Sequence, residues 1–132
     1  MPSCLHPIKT CPFCHVDYTL ITAVQGSVFS IEDRCPVTRF HHLIIPFRHC
    51  ESVFDMTDSE HRDAASLIDR LRRQILEKDA TVTGFNLGVN CGADAGQTIF
   101  HTHIHLIPRR AGDTPRPRGG VRGVIPDRMN YE

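Results

Sequence analysis

His101-Thr102-His103-Ile104-His105-Leu106-Ile107 closes a run from Gln97 that reads as an extended strand. Alternate side chains of a strand share one face, so three imidazoles line one wall while Thr102, Ile104 and Leu106 point the other way. Three titratable rings on an exposed wall add little packing. Each has a reference pKa near 6.5, close to the working pH of most cells, so the row reads as chemistry.

Working outward, the pattern upstream is mostly strand. Tyr18 to Ile21 and Val28 to Ile31 form a hairpin broken near Gln25-Gly26-Ser27, and Phe40 to Ile45 is a third strand stopped by Pro46. Thr57-Asp-Ser-Glu60 is a capping box, and Ala64, Leu67, Ile68, Leu71 and Ile75 recur behind it at helical spacing. That stripe belongs to a core or a dimer seam. Phe85 to Val89 is a fourth strand, Asn90 to Gly96 a loop rich in Gly and Asp, and Gln97 to Ile107 the strand bearing the histidines. Strands joined by short connections predict an α+β domain, an antiparallel sheet with a helix on one face. Residues 1–110 form this domain, and 111–132 are an Arg/Gly/Pro-rich tail placed on or near the active site.

A chain of 132 residues suits one core. Lys plus Arg equals Asp plus Glu at 15 each, which speaks against a nucleic-acid partner. No apolar run approaches the roughly 18 residues of a membrane span. The start, Met-Pro-Ser-Cys-Leu-His-Pro, lacks the basic-then-apolar plan of an export signal, so the cytoplasm is expected. Reduced thiols follow from that setting: Cys35, Cys50 and Cys91 read as small apolar residues, and Cys4 lies in a loose terminus. Cys11-Pro-Phe-Cys14 has zinc-ligand spacing but supplies half of a tetrahedral site, so two further ligands must come from elsewhere. His6, His15 and His61 read as surface residues, and His41 and His42 as strand supports.

His101-Thr-His103-Ile-His105-Leu-Ile resembles the signature of the histidine triad superfamily, in which histidines alternate with apolar residues. The likeness extends through Gly-Val-Asn90-Cys-Gly-Ala-Asp-Ala-Gly-Gln97-Thr98, Glu32-Asp33-Arg34-Cys35-Pro36-Val37-Thr38 and His42-Leu-Ile-Ile-Pro-Phe-Arg-His49. It implies a HIT-like fold of roughly five antiparallel strands with one long helix and a short one, in a dimer. It also implies nucleotide hydrolase or transferase chemistry. Two positions depart from the pattern: Arg39-Phe40 replaces the common Pro-Gly before His41, and Phe47 stands where a basic residue is common.

The resemblance makes His103 the nucleophile, forming a phosphoramidate with phosphorus, with a main-chain acceptor at or near His105 setting its tautomer. His105 then donates to the non-bridging phosphate oxygens. Gln97 and Thr98 reach the bridging oxygen and leaving phosphate, Asn90 touches the same phosphates, and the amides of Gly92 to Gly96 face an anion. Asp33 accepts from ribose hydroxyls, and Ile31 and Arg34 line the base, adenine by preference. Likeness to zinc-bearing members adds His49 and His101 to Cys11 and Cys14, a closed structural zinc site that also sets His101 beside the nucleophile.

The leading expectation is cleavage of a dinucleoside polyphosphate such as diadenosine tetraphosphate through a nucleotidyl-His103 intermediate. Pro108-Arg-Arg-Ala-Gly-Asp113 points to that branch. A phosphoramidate hydrolase and a phosphorylase share the same triad. From other classes stand a hydrolase that activates water on zinc held by His-x-His, and a zinc-stabilised module that binds nucleotides without turnover.

Overall fold

The computed structural model describes residues 9–131, so the amino-terminal stretch weighed for export, with Cys4 and His6, lies outside the described residues. Five strands, β1 (Ile21–Gln25), β2 (Val28–Glu32), β3 (His42–Pro46), β4 (Val82–Val89) and β5 (Ile104–Arg110), form one sheet in the order β1-β2-β3-β5-β4. Every pairing is antiparallel. Helix α1 (Asp58–Lys78) starts at Thr57, whose hydroxyl accepts from Glu60 N while Glu60 Oε1 accepts from Thr57 N, as the capping-box pattern predicts. The short second helix is realised only as 3-10 turns, among them Tyr18–Leu20 where the sequence suggested the first strand.

Helix α1 buries Ala64, Leu67, Leu71 and Ile75 against Val28, Ile44 and Leu106, so its apolar stripe is core. Leu67, Leu71 and Ile75 each contribute about 1.5–3 kcal/mol. Strands β2 and β3 are buried on both faces, because Phe13 and Val16 from the amino-terminal segment pack on Phe29, Ile31, Leu43 and Ile45 opposite the helix. The β1-β2 hairpin is tied to α1 by Asp63, which accepts from Ser27 N and Oγ at 2.9 and 2.7 Å. A Cβ at Gly26, where φ is +53°, would strike that carboxylate.

Strands β1 and β4 start at Ile21 and Val82 where Tyr18 and Phe85 were expected, and two further strand starts bear on the site. Strand β3 begins at His42, since Phe40 takes the left-handed turn conformation, φ +72°, that the more usual glycine adopts freely. Strand β5 begins at Ile104, and the preceding residues leave the ladder: Thr102 donates from N and Oγ1 to Cys50 O, at 2.7 and 2.8 Å. His101 is therefore fully buried rather than part of an exposed wall. Cys35 is exposed, against its reading as a buried apolar residue, while Cys50 is buried. Phe47 lies over Phe29 at 4.7 Å between centroids. No helix among the described residues is long and apolar enough to cross a membrane.

Candidate functional site

Four soft donors converge where the Cys11–Cys14 turn meets the end of β3 and the approach to β5. Cys11, Cys14, His49 and His101 bring one ligand atom each within 4.8 Å of one another. A tetrahedral zinc centre has edges of about 3.3 Å between nitrogens and about 3.6 Å between sulfur and nitrogen. Here His49 Nδ1 and His101 Nδ1 are 3.2 Å apart, Cys14 Sγ is 3.1 and 3.5 Å from them, and Cys11 Sγ is 3.5 Å from His101 Nδ1. The protonation chemistry agrees. His101 Nε2 lies 2.8 Å from Pro46 O, a carbonyl that fixes the ring proton there and leaves the Nδ1 lone pair for a metal. Burial pushes His101 down to about 4, so the ring is a neutral ligand at pH 7. Four protein ligands fit a closed, structural metal site.

The second triad residue takes its tautomer from the first. His103 Nδ1 donates to His101 O at 2.8 Å, so in the neutral ring Nε2 is the nitrogen with the free lone pair. The acceptor is thus the main chain of His101, two residues before the nucleophile candidate, where His105 or its neighbourhood was expected. Phe13, inside the metal turn, sets its ring against both imidazoles, 5.1 Å from His103 and 6.0 Å from His101 between centroids.

The third triad residue is tied to a histidine that the sequence left as a strand support. Val37 N donates to His41 Nδ1 at 3.0 Å, so the proton of a neutral His41 sits on Nε2, 2.9 Å from His105 Nδ1. His105 accepts there and keeps its own proton on Nε2 as a donor. Asp33 Oδ2 lies 3.5 Å from His41 Nε2 and 4.0 Å from His105 Nδ1, and Asp33 Oδ1 accepts from Cys35 N at 2.8 Å. Burial lowers the pKa of His41, partly opposed by Asp33. Burial also lowers that of His105, aided by His103 and His41. Asp33, His41 and His105 could group around a cation. A cation on His41 Nε2 would, however, displace the proton to Nδ1, against the Val37 N–H. The main chain thus favours a proton-sharing pair. The one signal for His41 was its place before β3, behind a turn whose usual residues are absent.

Other candidates fall in different places. Gln97 is buried and its amide is engaged by the main chain: Oε1 accepts from Gly92 N at 2.8 Å, and Nε2 donates to Glu51 O and Ile99 O at 2.6 and 3.2 Å. Instead of reaching a bridging oxygen it shapes the loop. Within that loop the amides of Gly92, Ala95, Gly96 and Gln97 all bond internally, so they are not presented to an anion together. Ile31 is in the second apolar cluster, not against a base. Arg34 and Thr98 are exposed, and Asn90 is half-buried beside Gly96.

A cleft of about 900 Å³ opens from His41 and His105 along the helix-free face of β5 and β4, past Asn90 and Asn86 to the tail. His103 stands next to it, its ring 5.4 Å from that of His105. Arg109 is held by Asp113 through two bonds of 2.8 and 2.7 Å and by Asn86 Oδ1 at 2.7 Å. These contacts turn the residues after the triad into a wall.

Comparison with known proteins agrees with this arrangement: the HIT domain profile matches residues 17–112. The chain belongs to the HIT domain family. It is 44% identical over 78 residues to the nitrilase and fragile histidine triad fusion protein NitFhit of Caenorhabditis elegans, covering 59% of this chain and 18% of that protein. It is 37% identical over 78 residues to the asymmetrical bis(5'-nucleosyl)-tetraphosphatase of Schizosaccharomyces pombe, covering 59% of this chain and 42% of that protein. This HIT domain chain therefore spans less than half the length of either relative. Among solved structures, it superposes on a zinc-bound histidine triad family protein from Mycobacterium smegmatis with TM-score 0.72 and 31% identity, over 81% of this chain and 80% of that one.

Proposed function

We propose that this HIT domain protein cleaves dinucleoside polyphosphates, with adenine nucleotides preferred, by transferring a nucleotidyl group to His103 and then to water. The observation that carries the reading is the His103 Nδ1 to His101 O bond of 2.8 Å, which leaves Nε2 as the nucleophilic nitrogen. In the first step the Nε2 lone pair bonds to the α-phosphorus, the bond from phosphorus to the bridging oxygen breaks, and the polyphosphate leaves with that electron pair. The positive charge gained by the ring is stabilised through Nδ1–H against the carbonyl. In the second step water bonds to phosphorus and releases a proton to solvent, the P–N bond breaks, and the electron pair returns to Nε2.

His105 donates from Nε2 to the non-bridging oxygens, its tautomer held by His41. Asp33 accepts from ribose hydroxyls, Asn90 and Thr98 meet the phosphates, Arg34 flanks the base, and Gln97 holds the loop that carries Thr98. Bound at Cys11, Cys14, His49 and His101, zinc supplies a fixed structural centre; the chain's own His101 carbonyl then orients the nucleophile. A His-x-His zinc that activates water finds less support, because His101 faces the cysteines while His103 turns its Nδ1 to the main chain. The reading includes a homodimer, for which β4 offers an unpaired sheet edge with Leu87 exposed, in a cytoplasmic setting.

Mass spectrometry after rapid mixing with diadenosine tetraphosphate tests the reading. Wild type gains one mononucleotide mass and His103→Ala gains none, with kcat/KM lower by about 10³-fold or more. Full turnover by His103→Ala would overturn it. Substrate binding without consumption by wild type would instead favour a nucleotide-binding module. Phosphate or an amine in place of water or the polyphosphate distinguishes phosphorylase and phosphoramidase variants of the same step.

A further inference from the structure

We propose that the part of the cleft walled by the tail is the seat of the substrate's leaving organic group, an uncharged flat moiety such as a second nucleobase, and that Val121 and Val124 select it. This rests on the reading of His103 as nucleophile. Three observations carry the assignment. The cleft, about 900 Å³, runs on from Asp33, His105 and Asn90, where ribose and phosphates are placed, to the tail, and is at the upper end of the range of about 300–1,000 Å³ for ligand sites. Arg34, placed beside the retained base, does not line the cleft, so that base and the tail-walled end of the cleft are different places. Its chemistry is also wrong for phosphate: the lining guanidinium, Arg109, is already held by Asp113 and Asn86, while Ile107, Val121 and Val124 offer apolar surface.

The wall is built rather than draped. Gly119 has φ +99°, and a Cβ there would meet Met129 O. Arg122 donates to Arg128 O at 2.8 Å, and the Tyr131 ring has the Arg118 and Arg122 guanidiniums at 4.7 and 5.1 Å. Gly120 lies against the Asn86 amide, which joins this unit to β4. Val121 and Val124 stay 63% and 74% exposed, so a polar residue at either position is compatible with folding while it changes the cleft.

The test compares wild type, Val121→Glu and Val124→Glu on diadenosine tetraphosphate and on adenosine 5'-phosphoramidate, whose leaving group is ammonia. The ratio of the two kcat/KM values is expected to fall about tenfold in each variant, with the melting temperature retained. An unchanged ratio overturns the assignment. Calorimetric binding of a methylene-bridged diadenosine tetraphosphate and of AMP is measured alongside. If wild type consumes neither substrate, the catalytic reading fails by itself. The cleft then stands if the two-ended analogue binds wild type more tightly than AMP and Val121→Glu removes the difference; it falls if the two affinities are equal.

Discussion

Three carbonyl or amide groups of the main chain decide what the histidines can do. Pro46 O takes the His101 proton, His101 O takes one from His103, and Val37 N–H forces the His41 proton onto Nε2. Identical side chains are thus prepared differently for the proposed roles of metal ligand, nucleophile and donor pair. Replacing His41 by Ala releases the His105 tautomer, so kcat is expected to fall about 10- to 100-fold with metal content unchanged, measured by steady-state kinetics and atomic absorption. Burial holds both rings neutral, and acid must protonate them to break the 2.9 Å bond. The acid limb of the kcat/KM profile is therefore expected below the ordinary histidine value of 6.5, with a plateau above it. Phe40 poses a backbone question. Both Phe40→Gly and Phe40→Ala lose the packing of a ring flanked by Arg39 at 4.6 Å, but only glycine relieves φ +72°. Urea unfolding should find the Gly variant more stable than the Ala variant by about 1 kcal/mol.

At the level of elements, the helix start and the metal turn are coupled. Glu60 closes the capping box and also receives Arg48 Nε and Nη2 at 3.1 and 2.9 Å, so one carboxylate joins the first turn of α1 to the residue preceding His49. Glu60→Ala removes the cap contact and takes the carboxylate from a partly buried guanidinium that keeps its bond to Asp55 O. A loss of about 2–3 kcal/mol is expected in denaturant unfolding, against about 1 kcal/mol for Thr57→Ala. The Cys11–Cys14 turn reaches the proposed nucleophile through Phe13, whose ring is packed against His103. The motif gave zinc spacing, but a role for the residue between the cysteines was invisible, because the neighbour it touches is 90 positions away.

For the whole molecule, a metal held by Cys11, Cys14, His49 and His101 would pin the amino-terminal segment that packs over the second apolar cluster of β2 and β3. Stripping metal with a chelator should lower the melting temperature by more than about 10 °C, read by calorimetry, and re-addition of zinc should restore it. Acid acts in the same direction. His42, like His41 and His105, is kept neutral mainly by burial, so the unfolded chain binds more protons below 6.5. Stability is fully present above that pH and is lost as pH falls through the depressed folded values.

Local pattern was enough for the capping box, the helical stripe from Ala64 to Ile75, the strand character of Ile104 to Ile107 and the half-site of two cysteines, because each is set by residues within a few positions. Tertiary structure alone decided that His101 leaves the wall for the core, that His41 joins His105, and that Gln97 shapes its own loop. It also put Ile31 in the core and laid the tail along the cleft. The three outcomes at His101, His41 and Gln97 depend on partners 46 to 90 positions apart in the chain, and on main-chain groups whose directions no residue type encodes. A single sequence specifies which donors exist; the fold determines which of them face one another.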